Sequence, residues 1–117
     1  MHTLIIVNDP PYGTERLYNA LRLVLALRKA DAAAVVTMFL MADAVSAAKR
    51  GQKTPDGYYN TERMLGRVIA AGGTVALCGV CMDARGLTET EIIEGARRSS
   101  MDELASMTAA ADKVLVF

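Results

Sequence analysis

The sequence predicts an α/β domain built on a parallel sheet, and three observations support this prediction. Short runs of Val, Ile and Leu recur along the chain, as at residues 4–7 and 33–40. These runs do not alternate with polar residues, which is typical of strands covered on both faces. Segments with helical spacing lie between them. We therefore expect one domain over residues 1–117, with five parallel strands and helices on both faces.

The first half of the chain predicts two strands and two helices. The strand at residues 4–7 is followed by a loop at residues 8–13, where Pro and Gly prevent regular structure. From Thr14 onward, apolar residues return at helical spacing for about four turns. The second strand covers residues 33–40, and Asp43 is then expected to cap a short alanine-rich helix.

The second half begins with a helix that Asn60 or Thr61 is expected to cap and that Gly72 ends. A third strand follows at residues 74–78. Two residue pairs then match the capping box, in which each side chain satisfies the other residue's amide: Thr88 with Glu91, and Ser100 with Glu103. Each pair begins a helical segment. Two last strands are expected near residues 95–98 and at residues 113–117.

Composition excludes several classes of partner. The chain has 13 basic and 13 acidic side chains, so the clustered positive charge that nucleic-acid binding requires is missing. The longest apolar run, residues 32–42, is about half the ~20 residues that a membrane span needs. The N-terminal apolar stretch is too short for a signal peptide and lacks a basic leader. We expect a cytoplasmic protein with no nucleic-acid or membrane partner.

The two cysteines of the chain are the main functional signal. Cys78 ends the third predicted strand, and Cys81 follows three residues later. In a reducing compartment both are expected to be thiols. If a helix begins after Cys78, positions i and i+3 share a face, and a reversible disulfide is geometrically allowed. The alternative is structural, since free cysteine is among the residue types most often buried.

A reactive thiol needs help to ionise near neutral pH. Lowering a thiol pKa from ~8.5 to ~7 requires about 2 kcal/mol. An exposed helix N-terminus supplies roughly 0.3–1 kcal/mol, so further donors or a cation must add the rest. Arg85, four residues beyond Cys81, is the candidate cation. Because loops that follow parallel strands share one edge of the sheet, Asn8 and Tyr12 are expected to line a pocket over the thiols.

Ligands of such sheets bind at this edge, where the strand order reverses. No metal or cofactor is expected in this protein. Structural zinc needs four ligands, whereas the chain offers two cysteines and the distant His2. Haem attachment requires His at the position that Met82 occupies, and the loop at residues 8–13 lacks the glycine pattern of a phosphate site.

Five segments, in this order along the chain, resemble the DsrE/DsrF-like sulfur-relay family and, within it, the small YchN-type proteins: residues 8–15, 39–45, 50–53, 77–86 and 111–117. The likeness covers nearly the whole chain. It implies a parallel α/β sheet and a cytosolic homo-oligomer, either a trimer or a hexamer built from trimers.

The resemblance also implies a reactive cysteine after the third strand, which in sulfur-relay relatives carries persulfide sulfur between donor and acceptor proteins. Counted back from Arg85, Cys78 occupies this position. Cys81 is not part of the relay motif, although YchN-type proteins have it.

Three hypotheses follow. In the first, the Cys78 thiolate attacks a sulfane donor and holds the terminal sulfur as a persulfide, which Cys81 releases by forming a disulfide while Arg85 stabilises the anion. In the second, the two cysteines carry out thiol–disulfide exchange without a persulfide. In the third, the protein is a non-catalytic oligomeric binding module whose Tyr58 and Tyr59 cover a pocket between subunits.

Overall fold

The computed structural model describes residues 1–55 and 59–117. Within these residues, five strands form one sheet: β1 (His2–Val7), β2 (Val35–Leu40), β3 (Thr74–Cys78), β4 (Ala96–Ser99) and β5 (Lys113–Val116). The helices of the same residues are α1 (Arg16–Ala30), α2 (Thr61–Ala70), α3 (Gly79–Ala84) and α4 (Met101–Ala110), with short 3₁₀ helices at Ala42–Ala48 and Glu89–Glu91. The predicted strands and main helices are all present, with ends shifted by one or two residues.

The strand order is β4-β3-β2-β1-β5, and every neighbouring pair is parallel. The chain steps in one direction from β1 to β4 and then returns to the far side of β1. Because right-handed crossovers in opposite directions fall on opposite faces, α1 and α2 cover one face and α4 covers the other. The predicted parallel α/β architecture is confirmed.

The core lies around β2, the central strand. Phe39, Met38 and Leu40 on this strand are completely buried, as are Leu4 on β1 and Leu77 on β3. Such unbroken apolar strands are stable only when both faces are covered. α1 covers its face with Leu17, Leu21 and Val24, whereas in α4 only Leu104 is buried. The α4 face of the sheet is therefore the more thinly covered one.

The alanine-rich segment after β2 differs from the expectation. It is a 3₁₀ helix that ends at Ala48, and the prediction that Asp43 caps it is wrong, because Met41 occupies the cap position and makes no side-chain cap. The Asp43 carboxylate binds Arg85 instead. The residue after this 3₁₀ helix, Lys49, forms an isolated antiparallel bridge with Ile92.

The other predicted caps form to different extents. The side-chain oxygen of Asn60 accepts a hydrogen bond from the Arg63 amide at 3.0 Å and caps α2. The Glu91 carboxylate accepts one from the Thr88 amide at 2.9 Å. At α4 the Ser100 hydroxyl accepts from the Glu103 amide, but the Glu103 carboxylate binds Arg97 rather than returning to Ser100. A nearby ion pair thus replaces half of the second capping box.

None of the helices in residues 1–55 and 59–117 has the length and apolar character that a bilayer crossing requires.

Asn60 provides a test of this packing. It is 3% exposed, caps α2 and donates from its side-chain amide to the Gln52 carbonyl at 3.2 Å. We expect Asn60→Ala to lower the free energy of unfolding by about 1–2 kcal/mol, because both the cap and this link are lost. Asn60→Asp keeps a capping oxygen and should lose less. Urea denaturation measures both, and equal losses would contradict the assigned cap.

Candidate functional site

The candidate site is built where β3 passes directly into α3. Cys78 is the last residue of β3 and pairs with Ser99 on β4, while Gly79 is already the first residue of α3. Cys78 therefore caps the helix, and its Sγ accepts a hydrogen bond from the Cys81 amide at 3.4 Å. The side chain is 7% exposed. Because α3 has only six residues, its dipole contributes little, and the Cys81 amide is the local donor.

Cys81 is held by a second amide, from the segment that follows β2. The Ala42 amide donates to Cys81 Sγ at 3.2 Å. Ala42 has a φ of 51°, in the left-handed region that residues other than glycine rarely adopt, at a cost of about 1–3 kcal/mol. The backbone amide of the preceding residue, Met41, donates to the Val7 carbonyl and so continues the pairing of β2 with β1. The chain therefore turns sharply at Ala42. This turn aims the amide at the sulfur.

The surroundings of Cys81 keep it protonated. Burial raises the pKa of the Cys81 thiol above its ordinary value, and the hydrogen bond to Cys78 and the negative charge of a Cys78 thiolate raise it further. The Ala42 amide and the positive charge of Arg85 lower it in part. The net direction is upward, so Cys81 is a thiol at neutral pH. Both cysteines are free, and Cys81 is the more exposed.

Arg85 lies beside Cys81, on the helix face that the sequence predicts. Its Nε and Nη2 bind the Asp43 carboxylate at 2.9 and 2.8 Å, and its Nη1 donates to the Cys81 carbonyl at 3.0 Å. Within the described residues these hydrogen bonds join the guanidinium to oxygens rather than to a sulfur. Arg85 therefore acts on Cys81 through its charge and fixes the α3 backbone against the 3₁₀ helix that carries Asp43.

Arg98 is a second cation near the thiols, and the sequence analysis missed it. It lies on β4, one residue before the strand partner of Cys78, and binds the Asp83 carboxylate with two hydrogen bonds of 2.7 and 2.8 Å. Its guanidinium lies against Gly79, where an added Cβ would meet Arg98 Nε at 2.6 Å. The sequence predicted a strand near residues 95–98, which includes Arg98. It did not predict the register of this strand against β3, and that register is what brings Arg98 next to the β3–α3 turn.

Tyr12 lies in a separate cavity. Its hydroxyl donates to the Gln52 side chain, and it lines an open cavity of about 800 Å³ that neither cysteine lines. The cavity is bounded by residues of two loops and the approach to α1: Pro11, Tyr12, Gly13, Thr14, Glu15, Thr54, Pro55 and Tyr59. Tyr59 also packs against Tyr18, with ring centroids 4.4 Å apart and ring planes inclined at 44°. Tyr58, the other tyrosine of the predicted covering loop, lies outside the described residues.

Asn8 extends the sheet. It does not line the cavity around Tyr12. Its amide donates to the Phe117 carbonyl at 2.9 Å and so extends the pairing of β1 with β5. The structure thus brings Cys78, Cys81 and Arg85 together, and it does not place Asn8 or Tyr12 in contact with them. Among the described residues, no three His, Cys, Asp or Glu side chains are grouped as metal ligands would be.

The site is at the expected edge of the sheet but away from the reversal of strand order. That reversal lies between β1 and β5, whereas Cys78 ends β3, on the far side of β2. The expectation that the ligand site coincides with the reversal therefore does not describe the two thiols. Their position is fixed by the β3–α3 turn.

Comparison with known proteins places this chain in a family. The model of the DsrE/DsrF-like family matches residues 1–117. The chain belongs to the DsrE/DsrF-like family. It is 44% identical to Protein YchN of Escherichia coli over 97% of each chain. The crystal structure of the E. coli ychN protein superposes with a TM-score of 0.93, covering 100% of both chains.

A more distant neighbour supports the fold alone. The structure of MTH1491, a protein of unknown function from Methanobacterium thermoautotrophicum, has a TM-score of 0.74 over 97% of this chain and 96% of its own, at 14% identity. The DsrE/DsrF-like family is associated in general with sulfur relay. The predicted family and fold are both confirmed.

Proposed function

We propose that this protein carries sulfur as a persulfide on Cys78 within a sulfur relay. The observation that carries the proposal is the cap at the β3–α3 turn, where Cys78 Sγ accepts the Cys81 amide at 3.4 Å. A hydrogen bond from a backbone N–H favours the charged form of the atom that accepts it. The thiolate is the nucleophile of cysteine chemistry. Cys81 Sγ also accepts a backbone amide, but the pKa of the Cys81 thiol is raised, so we assign the loading step to Cys78.

The loading step is a transfer of sulfane sulfur. The Cys78 thiolate attacks the terminal sulfur of a donor persulfide, R–S–SH, the donor S–S bond breaks, and R–S⁻ leaves. Cys78 then holds –S–SH. In the onward step the thiolate of an acceptor protein attacks the outer sulfur, takes it as its own persulfide and returns Cys78 as the thiolate. No net oxidation or reduction occurs, so the relay needs only a donor and an acceptor.

Cys81 offers a second way for the sulfur to leave. The Cys81 thiol loses its proton and attacks Cys78 Sγ, a Cys78–Cys81 disulfide forms, and the outer sulfur leaves as hydrogen sulfide. An external dithiol must then reduce the disulfide. The positive charge of Arg85, which lowers the pKa of Cys81 in part, favours the anion that this step needs. The pKa of Cys81 is raised, so this thiol is protonated at rest and its attack follows the loading of Cys78.

The small exposed area of Cys78 limits what can reach it. Because Cys78 is only 7% exposed, a slender donor, such as a persulfide at the end of a flexible chain, reaches its sulfur more readily than a bulky one. This agrees with a relay, in which only one terminal sulfur atom has to approach.

The adjacency of the two thiols favours thiol–disulfide exchange as a second candidate. Cys78 Sγ accepts the Cys81 amide, and Cys78 lies close enough to Cys81 to raise the pKa of its thiol. The same pair could cycle between dithiol and disulfide without binding extra sulfur. A reversible reduction potential together with no uptake of sulfur from a persulfide donor would favour this candidate over the relay.

The sulfur-carrier proposal predicts where added mass appears. After exposure to a low-molecular-weight persulfide, we expect the wild type to gain one sulfur atom and Cys78→Ser to gain none. Cys81→Ser is the matched control, because it keeps the loading thiol, and its persulfide should last longer since release through the disulfide is blocked. Intact-protein mass spectrometry measures all three. Equal uptake by Cys78→Ser and wild type would refute the assignment.

We also propose that copies of this chain associate through β5. This edge strand exposes Val114, Leu115 and Val116, the last at 65%, beside unpaired backbone groups. Apolar edge strands pair readily with another chain. Because the net charge is zero, copies of the chain do not repel one another. The resemblance described above implies a trimer or a hexamer.

Light scattering after size-exclusion chromatography tests this association. The wild type should have at least three times the monomer mass, and Val116→Lys should shift toward monomer because it places a charge on the edge. Ala26→Lys, which adds the same charge at an exposed position of α1, should leave the mass unchanged. A monomeric wild type, or equal effects of the two variants, would contradict the proposal.

A further inference from the structure

Arg98 reaches the β3–α3 turn from the edge strand β4. In the parallel register Cys78 pairs with Ser99, and Arg98 pairs with Leu77. The Arg98 side chain folds over Gly79, so closely that an ideal Cβ there would lie 2.6 Å from its Nε and 2.7 Å from its Cζ. The guanidinium therefore lies against the backbone immediately after Cys78. The absence of a side chain at position 79 is what allows this approach.

Asp83 fixes the guanidinium in this position. Nη1 and Nη2 of Arg98 bind the two carboxylate oxygens at 2.7 and 2.8 Å, the parallel two-bond geometry in which arginine binds carboxylates most specifically. Asp83 lies on α3 and Arg98 on β4, so the pair bridges the elements on either side of Cys78. The two side chains are 38% and 63% exposed, which means that salt screens the pair.

The charge of Arg98 is coupled to that of Cys78. The Asp83 carboxylate raises the pKa of Arg98 most, through its hydrogen bonds, and desolvation lowers it in part. The negative charges of Asp83, Glu89 and a Cys78 thiolate raise it further, with that of Cys78 the smallest contribution. A Coulomb interaction acts equally on both partners, so a guanidinium stabilised by the thiolate also stabilises the thiolate. The other charged pair near the thiols, Arg85 with Asp43, faces Cys81 instead.

We infer that Arg98 is a positioning residue of the site, whose guanidinium, held by Asp83 over Gly79, favours the thiolate of Cys78. This inference rests on the proposed function, in which Cys78 reacts as a thiolate. It assigns opposite electrostatic roles to the two members of one ion pair. Arg98 promotes ionisation of Cys78, and Asp83 both holds Arg98 in place and offsets part of its charge.

The test follows the pH dependence of Cys78 alkylation by iodoacetamide in a Cys81→Ser background, where one thiol remains. Removing the cation with Arg98→Gln should move the midpoint of the profile up by about half a pH unit, the order of shift that one unit charge near the surface produces. Asp83→Asn should move it down, because the asparagine oxygen still accepts a hydrogen bond from the guanidinium and keeps it in place, while the counter-charge is lost. Arg98→Lys, which keeps the positive charge, should lie between Arg98→Gln and the unmodified background.

A purely structural ion pair would give a different pattern. Both Arg98→Gln and Asp83→Asn break the same link between β4 and α3, so a structural role predicts similar losses of thermal stability and midpoints that stay fixed or move together. Midpoints that separate in opposite directions, and converge at high salt, support the inference. Midpoints that do not separate overturn it.

This experiment can be distinguished from the test of the sulfur carrier, because alkylation requires no persulfide. If the wild type takes up no sulfur but the midpoints separate, the relay fails and the role of Arg98 stands. If sulfur loads on Cys78 and the midpoints coincide, the relay stands and the role of Arg98 fails.

Discussion

The direct passage from β3 into α3 is the constraint on which the rest of the site depends. Because no loop residue separates Cys78 from the first residue of the helix, the sulfur lies where the first helical turn presents an amide without an intrahelical partner. The Cys81 amide binds it there. Cys81 follows three residues later, in the first turn of α3, and therefore lies on the same side of the helix as Cys78. One backbone feature thus sets both the donor to Cys78 and the separation of the two thiols.

The neighbouring segments then make the two thiols different from each other. Ala42 turns sharply after β2 and gives its amide to Cys81, while Asp43 holds Arg85 beside the same residue. Burial outweighs these two stabilising influences, so the pKa of Cys81 stays high. On the other side, β4 brings Arg98 against the start of α3. The two cysteines therefore lie in different electrostatic surroundings.

The architecture was largely predictable from the sequence because apolar runs and helical spacing are local signals. The strands around Phe39 and Leu77 and the cap at Asn60 are set by residues close in the chain. Proximity of Cys78 and Cys81 was also predictable, since it needs only a helix that begins after Cys78. The contact of Asp43 was not predictable, because its carboxylate binds Arg85, which is 42 residues away in sequence.

Arg98 and Tyr12 show the same limit. Arg98 depends on the register of β4 against β3, and a shift of one residue would turn its side chain to the other face of the sheet. Tyr12 shares an edge of the sheet with the thiols, but its hydroxyl is bound by Gln52, 40 residues later. Sequence patterns identify which edge a loop joins. They do not identify which of its side chains meet, because that depends on contacts between distant segments.

The order in which the two thiols ionise is the most direct test of this account. A pH titration of thiolate ultraviolet absorbance on wild type, Cys78→Ser and Cys81→Ser measures it. We expect two steps in the wild type, with the step at lower pH retained in Cys81→Ser and lost in Cys78→Ser. The thiol that remains in Cys78→Ser is Cys81, and desolvation still raises its pKa. Retention of the lower step in Cys78→Ser would contradict the account, since Cys81 would then be the more acidic thiol.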